Sequence, residues 1–228
     1  MTTTLYTHVW TQEKNELINM AKFTDETITT ARLISFSDGV FAIAVTLLVF
    51  NLKVPEIPHA SIHLLLPGLI KAMLPKFITY VITFLLVAVY WTFNHRMLNL
   101  VTHVDNTFIW MNIYYLLMIS FMPFPSALYG SYPNEIFSFI FYIGSMVTVS
   151  SISIAMLWYA SHNHRLINKE LPTVVVKYLF YRLFFSITIF LLSIPLAFFR
   201  LEWARYSLFI LFPMNWLMRK NFRKYSGK

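Results

Sequence analysis

Arg32-Leu-Ile-Ser-Phe-Ser-Asp-Gly-Val-Phe-Ala-Ile-Ala-Val-Thr-Leu-Leu-Val-Phe-Asn51 places two charges in its first seven residues and none in the rest. A helix rises about 1.5 Å per residue, so roughly 20 apolar residues cross a hydrocarbon core of about 30 Å. This stretch reaches that length, and the remainder of the chain repeats the pattern. The 228 residues are 57% apolar, 18% aromatic and 12% charged, against about 25% charged in soluble domains. A soluble fold of this size has no core large enough to hide so much apolar surface. The sequence therefore predicts an all-α integral membrane protein.

Apolar runs predict six transmembrane helices, at about Ile34 to Leu52, Phe77 to Phe93, Phe108 to Leu128, Ile136 to Tyr159, Val174 to Phe198 and Trp203 to Leu217. They occupy a membrane domain at 31–219, between a polar cytoplasmic region at 1–30 and a basic cytoplasmic tail at 220–228. The polar region lacks the apolar run and small-residue cleavage site of a signal peptide and is expected to stay on the mature protein. Within it, Thr24-Asp-Glu-Thr has the form of a helix start, which would begin the first helix before the membrane. Pro55, Pro58, Pro67, Pro75, Pro133 and Pro172 mark breaks between spans. Pro123, Pro125, Pro195 and Pro213 fall within or near span ends and predict kinks. Ile57 to Ala72 is apolar but too short to cross, and reads as a helix lying at the interface.

With an inside amino terminus, thirteen of the 18 Lys and Arg residues face the cytoplasm and five face outward, namely Lys53, Lys71, Lys76, Arg200 and Arg205. That bias places both termini inside. The formal charge of +8 sits beside apolar spans, which favours juxtamembrane anchoring over nucleic acid. The absence of cysteine removes disulfides, thiolate zinc sites and cysteine nucleophiles. His162 and His164, two apart on a helix, point away from each other, and the pair His59 and His63 is a weak metal site. Asp105 and Glu135 have no partner carboxylate at catalytic spacing, so neither an enzyme nor a resident cofactor is expected.

Two features of the first span stand out. Arg32 and Asp38 lie about 9 Å apart along a helix, with Ser35 and Ser37 between them. Either the charges snorkel to the interface, or Ser35, Ser37 and Asp38 are tied to polar groups on neighbouring helices. Trp91, Asn94, His95 and Arg96 are the obvious partners. Farther along, Ile43, Leu47 and Phe50 follow a spacing of four then three and share a face, to which Thr46 adds a hydroxyl. Alone, such a stripe reads as core packing or lipid contact.

The segment Arg32-x3-Phe36-Ser37-Asp38, continuing to Pro55, resembles the signature of the transmembrane protein 175 family of potassium channels, bacterial single-repeat branch. Tyr90-Trp91-Thr-Phe-Asn-His95 is similar to the family's second helix ending, and Leu116 to Tyr129 adds a further likeness. The resemblance implies a homotetramer in a bacterial cell membrane, with a central pore lined by the first helix, and four copies agree with the single motif per chain. It implies that Ile43, Leu47 and Phe50 form an apolar pore constriction and that Thr46 bears on the preference for potassium, while Phe50 departs from the commoner aliphatic residue. Arg32, Phe36, Ser37, Asp38, Trp91 and His95 correspond to its structural motif network. The function implied is a potassium-selective, leak-like cation channel, with permeant K+ and membrane lipids as partners. No Thr-Val-Gly-Tyr-Gly filter or acidic ring is present, so selectivity rests on pore width, hydration and local oxygen atoms, and an apolar ring gates by dewetting. The competing reading is a proton-coupled secondary transporter in which Asp38 or a histidine titrates.

Overall fold

A computed structural model describes residues 29–168 and 170–211. They form helices α1 (Thr30–Leu47), α2 (Ile62–Ala72), α3 (Leu74–Leu100), α4 (Asn106–Phe121), α5 (Pro123–Ser131), α6 (Ile136–Ser161), α7 (Thr173–Phe199) and α8 (Leu201–Phe209). Five segments among the described residues are long and apolar enough to cross a membrane: Thr30–Asn51, Leu74–Leu100, Asn106–Ser131, Ile136–His164 and Thr173–Phe199. The expected sixth span, Trp203 to Leu217, begins within α8 and runs beyond the described residues. The Thr24 helix start and most of the two terminal regions also lie outside them.

Several boundaries differ from the sequence reading, each for a local reason. The hydroxyl of Thr29 accepts from the Arg32 N–H at 3.3 Å and caps α1, satisfying one of the amides that a helix start leaves unpaired. Beyond Leu47 the chain tightens into a 3-10 turn, Leu48–Asn51. The expected interfacial helix begins only at Ile62, after a 3-10 turn at His59–Ser61. Pro67, read as a break, lies inside it. Pro75 stands in the first turn of α3, where the missing N–H costs nothing because that amide has no partner in the helix. The third span is two helices, α4 and α5, which meet at Met122 and Pro123. Pro195 is accommodated inside α7. Arg182 and Arg205 are both helical, and Arg182 is buried.

Helix α6 is the centre of the subunit. It packs on α4, α5 and α7, and α7 in turn carries α8. Helix α1 lies on one side, against α3 and α4. It buries one stripe, Leu33, Ser37, Phe41 and Ala44, continued by Leu48, and Phe41 meets the Tyr115 ring at 6.0 Å. Gly130 lets α5 and α3 approach closely: a Cβ there would stand 3.3 Å from the Lys76 Cα. Hydroxyls cross-link the interior where lipid and water are absent. Thr83 joins Ser126 at 3.0 Å and the Tyr142 phenol at 2.8 Å, and Tyr90 joins Ser150 at 3.0 Å.

At the end where α1 begins, the α3–α4 and α6–α7 connections are clasped together. Val101 and Ile167 form an isolated antiparallel bridge, and the Thr102 N–H donates to the Leu166 carbonyl at 2.9 Å. Asp105 caps α4 by accepting from the Phe108 N–H at 2.9 Å, and it also accepts from the Tyr159 hydroxyl at 2.6 Å. Arg165 stands 3.4 Å from that carboxylate and 4.4 Å over the Tyr159 ring. Partial burial pushes the Asp105 carboxyl up. Hydrogen bonds from Tyr159 and Phe108 and the charges of Arg165 and His103 outweigh it and hold the group below its ordinary 3.8. A lowered folded value means that the contribution is complete above 3.8 and is lost as pH falls through the folded value. Asp105→Ala is expected to lower stability near neutral pH by about 1 kcal/mol, the usual worth of a helix cap. The deficit should vanish in strong acid; thermal unfolding across pH measures both.

Candidate functional site

The two features singled out in the sequence occupy different faces and depths of α1. Near its beginning, the Asp38 carboxylate accepts from Trp91 Nε1 at 2.7 Å, the length of a charge-assisted bond. His95, one turn on along α3, meets Trp91 in a tilted ring contact with centroids 5.6 Å apart and sets Nδ1 3.8 Å from the same carboxylate oxygen. That distance is beyond a hydrogen bond, and the buried Nδ1 has no hydrogen-bond partner. Asp38, Trp91 and His95 therefore form one cluster between α1 and α3.

Ser37 turns to the other neighbour. Its hydroxyl donates to the Leu33 carbonyl at 2.8 Å and accepts from Asn112 Nδ2 at 3.0 Å, with both residues buried. The sequence reading missed Asn112, although a lone amide in an apolar span was the available signal. Among the described residues Ser35 makes no tie to another helix: its hydroxyl donates to the Ala31 carbonyl one turn back at 3.1 Å. Arg32 is exposed in the first turn, and Phe36 is 57% exposed, on a side of α1 away from Ser37. Of the expected partners on α3, Asn94 is buried with an unpaired amide oxygen, and Arg96 is half-buried. At its far end α1 is fixed again, where Asn51 Nδ2 donates to the Pro123 carbonyl at the α4–α5 break, 3.0 Å away.

Between these attachments lies the second feature. Ile43, Thr46, Leu47 and Phe50 are all exposed on the face turned away from the buried stripe, with Phe50 at 72% and Leu48, one residue from Leu47, at 0%. The Thr46 hydroxyl sits 2.8 Å from the Ile43 carbonyl and 3.1 Å from that of Ala42. Its single hydrogen is thus spent on the helix itself, which leaves the oxygen's two lone pairs as acceptors.

This arrangement has known counterparts. Residues 32–123 match the family model described as endosomal/lysosomal potassium channel TMEM175. The fold superposes on the crystal structure of a lysosomal potassium-selective channel TMEM175 homolog from Chamaesiphon minutus with a TM-score of 0.72 and 26% identity, covering 84% of this chain and 98% of that one. The chain resembles the TMEM175 family in sequence over residues 32–123 and in fold over most of its length. A potassium channel of Chamaesiphon minutus is 39% identical over 106 residues, 45% of this chain and 50% of that protein. A potassium channel of Streptomyces collinus is 35% identical over 106 residues, 46% and 49%. The endosomal/lysosomal proton channel TMEM175 of Gallus gallus is 24% identical over 148 residues, 64% and 28%. The chain thus spans about half the length of the bacterial potassium channels it matches in sequence. TMEM175 is an ion-channel family, not an enzyme family. The matched region holds every residue of both features on α1 and α3.

Proposed function

We propose that four copies of the chain form a potassium-selective, leak-like cation channel in a bacterial plasma membrane, with α1 of each copy lining a central pore. The observation that carries this reading is the outward face of α1. Ile43, Leu47 and Phe50 are exposed while the opposite stripe is buried in their own subunit. Around a fourfold axis these side chains make stacked apolar rings that expel water when narrow. Thr46 then supplies a ring of hydroxyl oxygens whose lone pairs face the ion, a weak field suited to a large, easily dehydrated cation. The names of the bacterial relatives support potassium as that cation. Both termini face the cytoplasm, as the positive charge bias indicates. K+ is a permeant ion in this reading, not a cofactor.

The test is flux from proteoliposomes holding the full chain, with reversal potentials in mixed K+ and Na+. A channel gives potassium flux without a coupled ion, and Thr46→Val lowers the preference for K+ by about fivefold, on the order of 1 kcal/mol. An unchanged reversal potential removes Thr46 from selectivity, and crosslinking without a four-chain species removes the pore.

A second reading is proton-coupled transport. It draws on the 3.8 Å approach of His95 to Asp38 and on the vertebrate relatives named proton channels. It requires saturable flux that depends on a pH gradient.

A further inference from the structure

A cavity of about 280 Å³ opens at the end of the bundle remote from Asp38, between α3, α5, α6 and α8. Ile78, Ile82 and Phe209 give it apolar walls, Tyr142 lies in its lining, and Glu202 and Arg205 are its charged members. It has no part in the α1 face described above. Exposed Tyr132, Trp203 and Tyr206 surround this end, the aromatic collar that proteins place at headgroup depth. Arg205 Nη2 donates to the Pro133 carbonyl at 2.7 Å and to Asn134 Oδ1 at 3.0 Å, both neutral acceptors. Its Nε is buried with no acceptor.

We propose that this cavity is a phospholipid site, with one acyl chain between α3 and α8 and the phosphate diester at Arg205. The charge pattern selects that occupant. Both printed bonds of the guanidinium come from Nη2, and a planar group with donors beyond those two recognises phosphate oxygens in a fixed geometry. The walls beyond it offer an acyl chain the same apolar contact as the bilayer, with the shape of a slot. Glu202, one turn away on α8, places a carboxylate beside the headgroup and favours lipids that also carry an amine. A water molecule would satisfy Nε but leave the apolar walls bare.

Photolabelling of the full chain in nanodiscs tests this, using a phospholipid with a diazirine in its acyl chain and, in parallel, a diacylglycerol with the same chain. The expected result is phospholipid label concentrated at Ile78, Ile82 and Phe209, about tenfold above that on Leu192, which is 63% exposed on the outer face of α7. Arg205→Gln should remove most of that excess, an effect of about tenfold in occupancy for one charge-assisted contact. Ile82→Trp fills the slot without touching the Arg205 bonds and should remove it too. Label no denser than on Leu192, equal label from diacylglycerol, or label indifferent to Ile82→Trp would overturn the site.

Discussion

Leu47→Ser is expected to raise potassium flux through the reconstituted full chain by roughly tenfold, equivalent to about 1.4 kcal/mol off the barrier to permeation. The effect follows from the side chain's position. Leu47 is exposed on the same side as Ile43 and, in the following 3-10 turn, Phe50, and in the proposed ring of four it would offer the water around a passing ion no hydrogen bond. A hydroxyl at that level both widens the ring and wets it. Ile43→Ser acts in the same direction. The informative control is the next residue, Leu48, which is fully buried against its own subunit. Leu48→Ala opens a cavity and costs about 2–5 kcal/mol of stability, with no gain in flux. If Leu48→Ala raised conductance and Leu47→Ser did not, the face assigned to the ions would be the wrong one.

Breaking the Asp38–Trp91 bond should cost more than any other single change in the motif. At 2.7 Å the indole N–H donates to a carboxylate at the mouth of an apolar span, where hydrogen bonds to charged groups contribute about 1.5–3 kcal/mol. Both side chains retain exposure in the single chain, which draws the expected value toward the lower figure. Trp91→Phe keeps the ring contact with His95 and removes only the donor. Asp38→Asn keeps an acceptor oxygen and removes the charge, so it should retain part of the bond. A double-mutant cycle on thermal unfolding isolates the pair: a coupling energy of about 1.5 kcal/mol is expected. Strict additivity would mean that the bond contributes nothing and that Asp38 only snorkels.

The long elements were legible because the physics behind them is local. An unbroken apolar run such as Ile136 to Tyr159 is a span whatever surrounds it, and Ile136–Ser161 is a single helix. Proline at 123 announced a kink for the same reason, and the chain breaks there. The partners of polar residues were harder to find. Trp91 was one of four residues expected to partner Ser35, Ser37 and Asp38, because it closes the second span where the motif opens the first, and it bonds Asp38. Asn112, the partner of Ser37, is 75 positions away in sequence, and only the packing of α1 against α4 selects it. Ser35 had the same composition-level claim as Ser37, yet it bonds its own backbone, because it stands on the exposed side of the helix. The Thr83, Ser126 and Tyr142 hydroxyls likewise come together from three helices, with no spacing to announce them. The stripe Ile43, Leu47 and Phe50 was visible as a face, but periodicity carries no sign of what that face meets.

The attachments of α1 bear on how a passage beside it would change its bore. Asp38 and Ser37 hold one end to α3 and α4, and Asn51 holds the other to the carbonyl of Pro123. A rod fastened at both ends does not swing by itself; it moves when its supports move. The supports at one end belong to the paired long helices, and the support at the other is the joint between α4 and α5. If Leu47 lines a pore as proposed, a movement at that joint would reach it through the Asn51 bond. On that proposal, the Pro123 joint and the threshold for water entry would be coupled through one short stretch of chain.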